Sequence, residues 1–506
     1  MRSAPLLPRT ARGRRAPPSS LPDPEGAPPM TQPPSAHPGP PSPGRPQQPG
    51  QQPTGRPRPG AGAPAAGAPG FQAQPQYVDY GIPRSYDTSV RPASGLTAAR
   101  YAPAQIQRPV QPQPQSAWAT QTRRVQEVGR EAEPVPRVTV LTWIALAVLG
   151  IGLLLVLGFF FVYLTLSYSS SPVWWPVMGF LAFLSLVVIV GIILLADRWD
   201  PQPIPLLLIA VMWGAAIASF VSFWVNTLGS VLVWRLTGSE AVTNFFGPVI
   251  SAPIVEETTK GLGLLVLMLL ARRYFNGPLD GLIYGALIGG GFAFTENILY
   301  YANGFDQMGL GGVAVLVVMR GALNIFGHAI YTSLTGMIMG FVARKWGTIS
   351  GLLVFVVAVI PGMLLHAGWN LTATLAGGWT VTIIMFALEA LLSLLWLCLI
   401  GVLVWDEARL TRVRLGDYAN TGWLTHEEVT MLATWKGRRE GRAWAKQIGA
   451  KPLMKRFIRE SADLASVRQR LLADGANPKV VALEAGLLGR LSTNRQQLFA
   501  ASGQPR

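Results

Sequence analysis

One cysteine, Cys398, stands in 506 residues, which excludes an intrachain disulfide framework and any zinc module built from paired thiols. Charge is equally scarce. Only 13% of the chain is Asp, Glu, Lys or Arg against 50% hydrophobic, where a soluble domain carries about a quarter charged. That balance belongs to a membrane protein. Histidine occurs four times, at His37, His328, His366 and His426, so a catalytic centre using imidazole has few candidates. No H-E-x-x-H zinc signature and no membrane-embedded Gly-x-Ser-Gly nucleophile motif is present. The Arg-containing start runs into Pro, Ser and Gly with no apolar stretch, so no secretory signal is expected there, and Met30 could equally be the first residue.

Proline and charge divide what is present. Of 42 prolines, 30 precede residue 138. Residues 1–137 hold 16 Arg, no Lys and 7 acids; 138–404 hold 8 basic and 9 acidic groups; 405–506 hold 18 and 10. The net charge of +16 therefore sits on the two ends. The reading is a disordered Pro/Gly/Gln/Arg-rich cytoplasmic arm (1–137), a transmembrane helical bundle (138–404) and a basic helical cytoplasmic tail (405–506). The arm cannot bury enough apolar surface to offset its ordering entropy. Basic flanks on an apolar block are first a topology signal, and no fold motif for nucleic acid accompanies the Arg, so no nucleic-acid partner is expected. A cytosolic partner or anionic lipid remains a second reading of the arm or tail.

The fold class is all-α, a polytopic bundle of about eight transmembrane helices. Apolar stretches near the 20 residues a crossing needs fall at about 139–166, 173–196, 203–233, 248–271, 279–302, 321–343, 347–373 and 380–404. A shorter piece, about 309–319, reads as interfacial or re-entrant. Arg198, Arg272 with Arg273, and Arg344 with Lys345 occupy alternate loops, although Arg235 is an exception. Both termini are therefore expected in the cytoplasm of a multi-pass cell-membrane protein.

An ionisable group at mid-bilayer costs on the order of 2.5–3.5 kcal/mol on the most lenient scale, so each needs a partner or a task. With about 1.5 Å rise per residue, Glu256 falls roughly 12 Å below the outer end of its span, Glu296 roughly 9 Å, and His328 and His366 roughly 10 Å. Four helices thus bring a carboxylate or imidazole to one level. Glu256 and Lys260, His366 and Asn370, and the stripe Arg320, Asn324, His328 each share a helix face. Gly281, Gly285 and Gly289 form a ridge that admits a close neighbour. The chemistry indicated is metal-assisted hydrolysis: Glu296, His328 and His366 as ligands of a divalent ion, zinc by donor type, and Glu256 as general base. Glu257 is the alternative carboxylate, Lys260 would keep Glu256 ionised, and Asn370 would orient His366 or bind an oxyanion. Glu389 reads as a structural buried hydrogen bond.

The ordered set E-E-T-T-K from Glu256 to Lys260, G-F-A-F-T-E-N from Gly291 to Asn297, G-H-A from Gly327 to Ala329 and H-A-G-W-N from His366 to Asn370 resembles the PrsW family of intramembrane metalloproteases. That family is similar to the CAAX prenyl endopeptidases and bacteriocin-immunity proteins. The resemblance covers about residues 200–400. It implies cleavage of a single-pass membrane protein in or near the bilayer, with anti-sigma factors as the known type of target. An ion-coupled transporter and a noncatalytic scaffold or immunity-type protein are the two other classes left open.

Overall fold

The computed structural model describes residues 140–167, 172–375, 378–475 and 477–503; the arm at 1–137 lies outside them. Helix α1 is Val140–Ser167 and α2 Trp175–Ala196. Helix α3, Ile204–Thr237, contains a wide π-turn at Trp213–Ala218. A short helix Glu240–Phe246 and a second π-turn, Gly247–Ser251, lead into α4, Ala252–Leu270. Then come α5 (Pro278–Leu316), α6 (Gly327–Trp346), α7 (Phe355–Leu375) and α8 (Trp379–Asn420). No strand occurs among the described residues. Among the described residues, five helical stretches are long and apolar enough to cross a membrane, with Pro278–Trp346 counted as one. Helix α4 is not among them; its Glu256, Glu257 and Lys260 interrupt the apolar run. The all-helical membrane fold thus stands, while the count of eight is not reached by length and hydropathy.

Helix α5 is the axis of the bundle. Its start is fixed by Pro278 in the first turn and by Asp280, whose carboxylate accepts from the backbone N–H of Asn276 at 2.8 Å and of Gly277 at 3.1 Å, satisfying donors that a helix N-terminus leaves open. At Met308 and Gly309 the helix breaks, Gly309 taking φ +58°, a conformation only glycine adopts without cost. The chain then returns antiparallel along the first limb. Gly304 lies against Gly312, Glu296 against Arg320, Gly289 against His328, Gly285 against Thr332 and Gly281 against Gly336. The apolar piece at 309–319 is thus not a separate segment. It is the first part of the limb that α6 continues, and the sixth expected span begins at this break, not at 321. The limb is itself interrupted, by a π-turn at Val317–Leu323 and a turn at 324–326.

The predicted glycine ridge does what its spacing implies. A Cβ on Gly281 would lie 1.9 Å from the backbone oxygen of Gly336, and one on Gly289 2.1 Å from that of His328. Two backbones touch there, and close packing replaces the hydrophobic drive that lipid cannot supply. Around this pair, Ile189 and Ile193 of α2, Ala210 of α3, and Leu264 and Met268 of α4 close the core. Leu195, Ile204, Leu208 and Leu364 point outward.

The eighth expected span does not stop at 404. Helix α8 runs on to Asn420, and α9 (His426–Leu432), α10 (Trp435–Gln447), α11 (Lys451–Asp474) and α12 (Pro478–Ala501) follow. The tail is helical as expected, and Phe457, Ile458, Leu464, Val467 and Leu471 are buried in it, but it is a packed unit and not a solvated appendage. It docks on one end of the bundle. Trp199 Nε1 donates to Thr411 at 2.9 Å, the Arg438 guanidinium lies 3.5 Å over the Trp199 ring, and Asp474 accepts from the Thr348 N–H at 2.6 Å. Arg344 pairs with Asp406 and Glu407. The three basic loops thus share one end with the tail.

Candidate active site

The site lies on the other half of the α5 hairpin. Glu296 is 18 residues beyond Pro278, about 27 Å along the helix. Helix α4 supplies Glu256, Glu257 and Lys260, and residues three and four apart share its inward face. Lys260 is fully buried, with Nζ 2.6 Å from Glu257 Oε1, 4.0 Å from Glu256 Oε2, 3.1 Å from His328 Nδ1 and 4.2 Å from the centre of the Phe292 ring. The cation therefore pairs first with Glu257, where the sequence reading paired it with Glu256.

The three carboxylates are held differently. Glu257, with no exposed surface, takes Lys260 and His366 Nδ1 (3.1 Å) on one oxygen and Thr332 Oγ1 (3.0 Å) on the other. Glu296 Oε2 accepts from Arg320 Nη2 at 2.6 Å and lies 2.7 Å from His328 Nε2. Arg320 is held in turn by Asn297 at 3.0 Å and by the Tyr300 ring at 3.8 Å. Glu256 Oε1 accepts from Asn226 Nδ2 at 3.3 Å, whereas its Oε2 is buried without a hydrogen-bond partner and sits 3.9 Å from His366 Nε2.

The tautomers follow from the partners. An ammonium only donates, so His328 Nδ1 accepts from Lys260 and its Nε2–H points at Glu296. An ionised carboxylate only accepts, so His366 donates Nδ1–H to Glu257 and keeps its Nε2 lone pair toward Glu256. The imidazole centroids are 5.0 Å apart, and Tyr331 stacks on His366 at 5.2 Å.

Glu256, His328 and His366 each offer a ligand atom within 4.8 Å of the others. This cluster contains Glu256 where the sequence reading placed Glu296; Glu296 is adjacent, bonded to His328. The donor set fits a divalent ion. Imidazole and carboxylate suit zinc, and one buried carboxylate oxygen, Glu256 Oε2, has no hydrogen-bond partner. The other two expected residues are placed apart from the cluster. Asn370 Nδ2 donates to the Pro248 carbonyl at 2.7 Å, tying α7 to the second π-turn. Asn324 lies in the 324–326 turn, its Oδ1 buried and unpartnered. Glu389 is buried on α8, with one oxygen unpartnered.

Sequence reading missed Asn226, Ser251 and Thr332. Ser251 donates to Asn226 Oδ1 at 2.9 Å, which orients the Asn226 amide toward Glu256. All three are uncharged, so a search for ionisable groups passes over them, although Thr332 lies one turn from His328 on the same face. Asn226, Glu256, Phe292, Thr295, Glu296 and Tyr300 line a cavity of about 190 Å³.

Residues 202–400, from α3 through most of α8, match the sequence profile of a family described as PrsW family intramembrane metalloprotease. The chain is 28% identical over 203 residues to the protease PrsW of Bacillus subtilis, an alignment covering 38% of this chain and 80% of that protein. It is 25% identical over 147 residues to the protease PrsW of Geobacillus kaustophilus, covering 29% and 58%. No solved structure matches. The matched segment holds every residue of the site, and the tail lies beyond it; over residues 202–400 the chain is similar to the PrsW family of intramembrane metalloproteases.

Proposed function

We propose that this membrane-embedded peptidase is an endopeptidase with Glu256 as its general base. The observation that carries the assignment is the state of the three carboxylates. Glu257 has both oxygens bonded, and Glu296 is engaged by Arg320 and His328, while Glu256 lines the cavity and keeps one buried oxygen without a hydrogen-bond partner. A base needs that free lone pair to take a proton from water. Asn226 holds the other oxygen and fixes the direction of attack. Glu257 orients His366 through Nδ1, as a carboxylate does for a ligating or proton-transferring imidazole. His328, on giving up its Nε2 proton, and His366 with Glu296 would hold the divalent ion, zinc by donor preference; when bound it would polarise the scissile carbonyl and acidify water. Asn370, engaged by Pro248, is then a positioning residue and not an oxyanion donor.

The substrate we propose is a single-pass membrane protein, an anti-sigma factor being the type the family resemblance suggests, cut near its outer end. Support comes from placement: the site lies about 27 Å from the tail-bearing end of α5, and positive loops at that end favour the cytoplasm for both termini. A substrate helix must unwind there, because its amides are otherwise bonded internally. A transporter would space its ionisable groups through the depth, whereas here Glu256, Glu257, Lys260, Glu296, Arg320, His328 and His366 form one bonded cluster.

One observation favours a second reading, in which Glu256 and His366 activate water without a metal. Lys260 lies 3.1 Å from His328 Nδ1, a cation that repels a metal and fixes the tautomer with Nε2 protonated. Proteolysis of a co-expressed single-pass substrate, metal analysis of the purified protein and fragment mass spectrometry test the proposal together. Glu256→Gln is expected to abolish cleavage while metal content persists, and Glu296→Ala, His328→Ala and His366→Ala to lower both. Full activity in Glu256→Gln would end the base assignment, a metal-free active enzyme would select the second reading, and a cut in the cytoplasmic third of the substrate would reverse the orientation.

A further inference from the structure

A second cavity, of about 300 Å³, lies at the opposite end of the bundle, between the loop 200–205, the turn after α4 and the tail helix α11. Its polar lining is Asp200, Arg273, Asn276, Arg459 and Asp463; its apolar rim is Ile204 with Pro203 and Pro205. Three features point to one kind of ligand. Arg273 Nη1 is buried with no hydrogen-bond partner, and the side chain's ion pair with Asp463 is long, at 3.9 Å. Arg459 is exposed and continues an i, i+4 row of exposed basic residues, Lys451 and Lys455, along α11. Ile204, 70% exposed, opens the outward apolar face that Leu208 continues on α3, so the cavity joins a lipid-facing surface to two guanidinium groups.

Two exposed tryptophans with basic neighbours mark the same end of the bundle. Trp346 and Trp405 are exposed at 56% and 62%, with Lys345 4.6 Å over one ring and Arg409 5.7 Å over the other. Tryptophan beside a basic side chain is the pairing found where hydrocarbon meets headgroups. Both acidic groups are compensated. Burial first, then the neighbouring Asp463 carboxylate, push Asp200 well above the usual carboxylate range, which lessens its repulsion of an anion, and Asp463 faces Arg273.

We propose that this cavity is a binding site for an anionic phospholipid, its phosphate held by Arg273 and Arg459 and its acyl chain laid over Ile204 and Leu208. The site would stitch tail to bundle, since one guanidinium comes from each. It lies outside the catalytic cluster and stands or falls independently of the proteolytic reading.

Native mass spectrometry of the full chain in detergent, with added phosphatidylglycerol, phosphatidylcholine or inorganic phosphate, tests it. Phosphatidylglycerol is expected to be retained in preference to phosphatidylcholine, with retention weakened about fivefold by Arg459→Gln and more by Arg273→Gln with Arg459→Gln. Arg459 is exposed, so its single variant keeps the test informative if the double variant misfolds. Ile204→Gln should weaken lipid retention as well. Equal retention of the two lipids, or no loss in Arg459→Gln, would overturn the site. Displacement of phosphatidylglycerol by millimolar inorganic phosphate, with Ile204→Gln without effect, would make it a soluble-phosphate site and overturn the lipid assignment.

Discussion

The two halves of the α5 hairpin are built on opposite principles. Near Pro278 the limbs touch backbone to backbone at Gly281 and Gly336, and the adjoining loops are tied down: Gln202 donates to Asp280 at 2.8 Å and accepts from Tyr284 at 2.8 Å. Beyond Gly289 the helices open into π-turns at Trp213–Ala218, Gly247–Ser251 and Val317–Leu323, and a turn breaks the return limb at 324–326. Irregular backbone at membrane depth is tolerated only where protein or a water-lined cavity satisfies it. Here the first π-turn runs directly into Ser219, which lines the cavity at Glu256. A glycine-packed half thus adjoins an irregular half that carries the cavity and the catalytic cluster.

The largest effect that separates the halves comes from adding bulk to glycine. Gly281→Leu would drive a side chain into a backbone oxygen 1.9 Å from its own Cβ position, whereas a Cβ on Gly311 meets nothing within 4 Å. We expect Gly281→Leu to fail to accumulate and Gly311→Ala to accumulate as the parent does, measured by detergent-extracted yield and monodispersity. Equal yields would mean that the hairpin register is wrong.

Next comes the open half. Arg320→Met leaves the Glu296 carboxylate beside His328 without its nearest cation, and the pair is only partly exposed, at 17% and 18%. Losing one member of such a pair costs about 2 kcal/mol, discounted from the fully buried case for this access to water. Thermal unfolding in detergent measures that cost. Asn297→Ala, which keeps the Arg320–Glu296 pair, should cost less.

How far these contrasts could be read in advance depends on the kind of signal. The glycine spacing at 281, 285 and 289 and the motif residues were legible because each is a rule about one face of one helix. The break at 308–309 was read as the edge of a separate segment, since hydropathy does not distinguish a kinked return limb from a re-entrant piece. Lys260 was assigned to Glu256 from i, i+4 spacing, yet i, i+3 also shares the face, and burial of Glu257 decided for it. The tail's dock was illegible, because Trp199–Thr411 and Thr348–Asp474 join residues more than a hundred positions apart.

A smaller and more local effect tests whether the tail is a unit of its own. Leu464, wholly buried in the tail core, should cost about 2–5 kcal/mol when changed to Ala. If the tail folds around its own core, limited proteolysis of Leu464→Ala will release tail fragments while the segment 204–404 stays protected. Simultaneous loss of both regions would show that the tail and bundle unfold as one.

The smallest effect is the pH dependence of the junction between them. Burial raises the Asp197 carboxyl to about 7, against the lowering effect of the Gln202 N–H. A carboxyl whose folded value is raised binds more protons in the folded than in the unfolded state, so stability falls as pH climbs from about 4 to about 7 and is level above that. Asp200 is shifted in the same direction. The parent should therefore unfold at a lower temperature at pH 8 than at pH 5.5. Asp197→Asn keeps an oxygen to accept from Gln202 and removes the ionisation, so part of that slope should disappear, with the gain confined to the higher pH. A parent more stable at pH 8 would mean that Asp197 is ionised in the folded protein and that the tail end of the bundle is wetter than its tied-down loops imply.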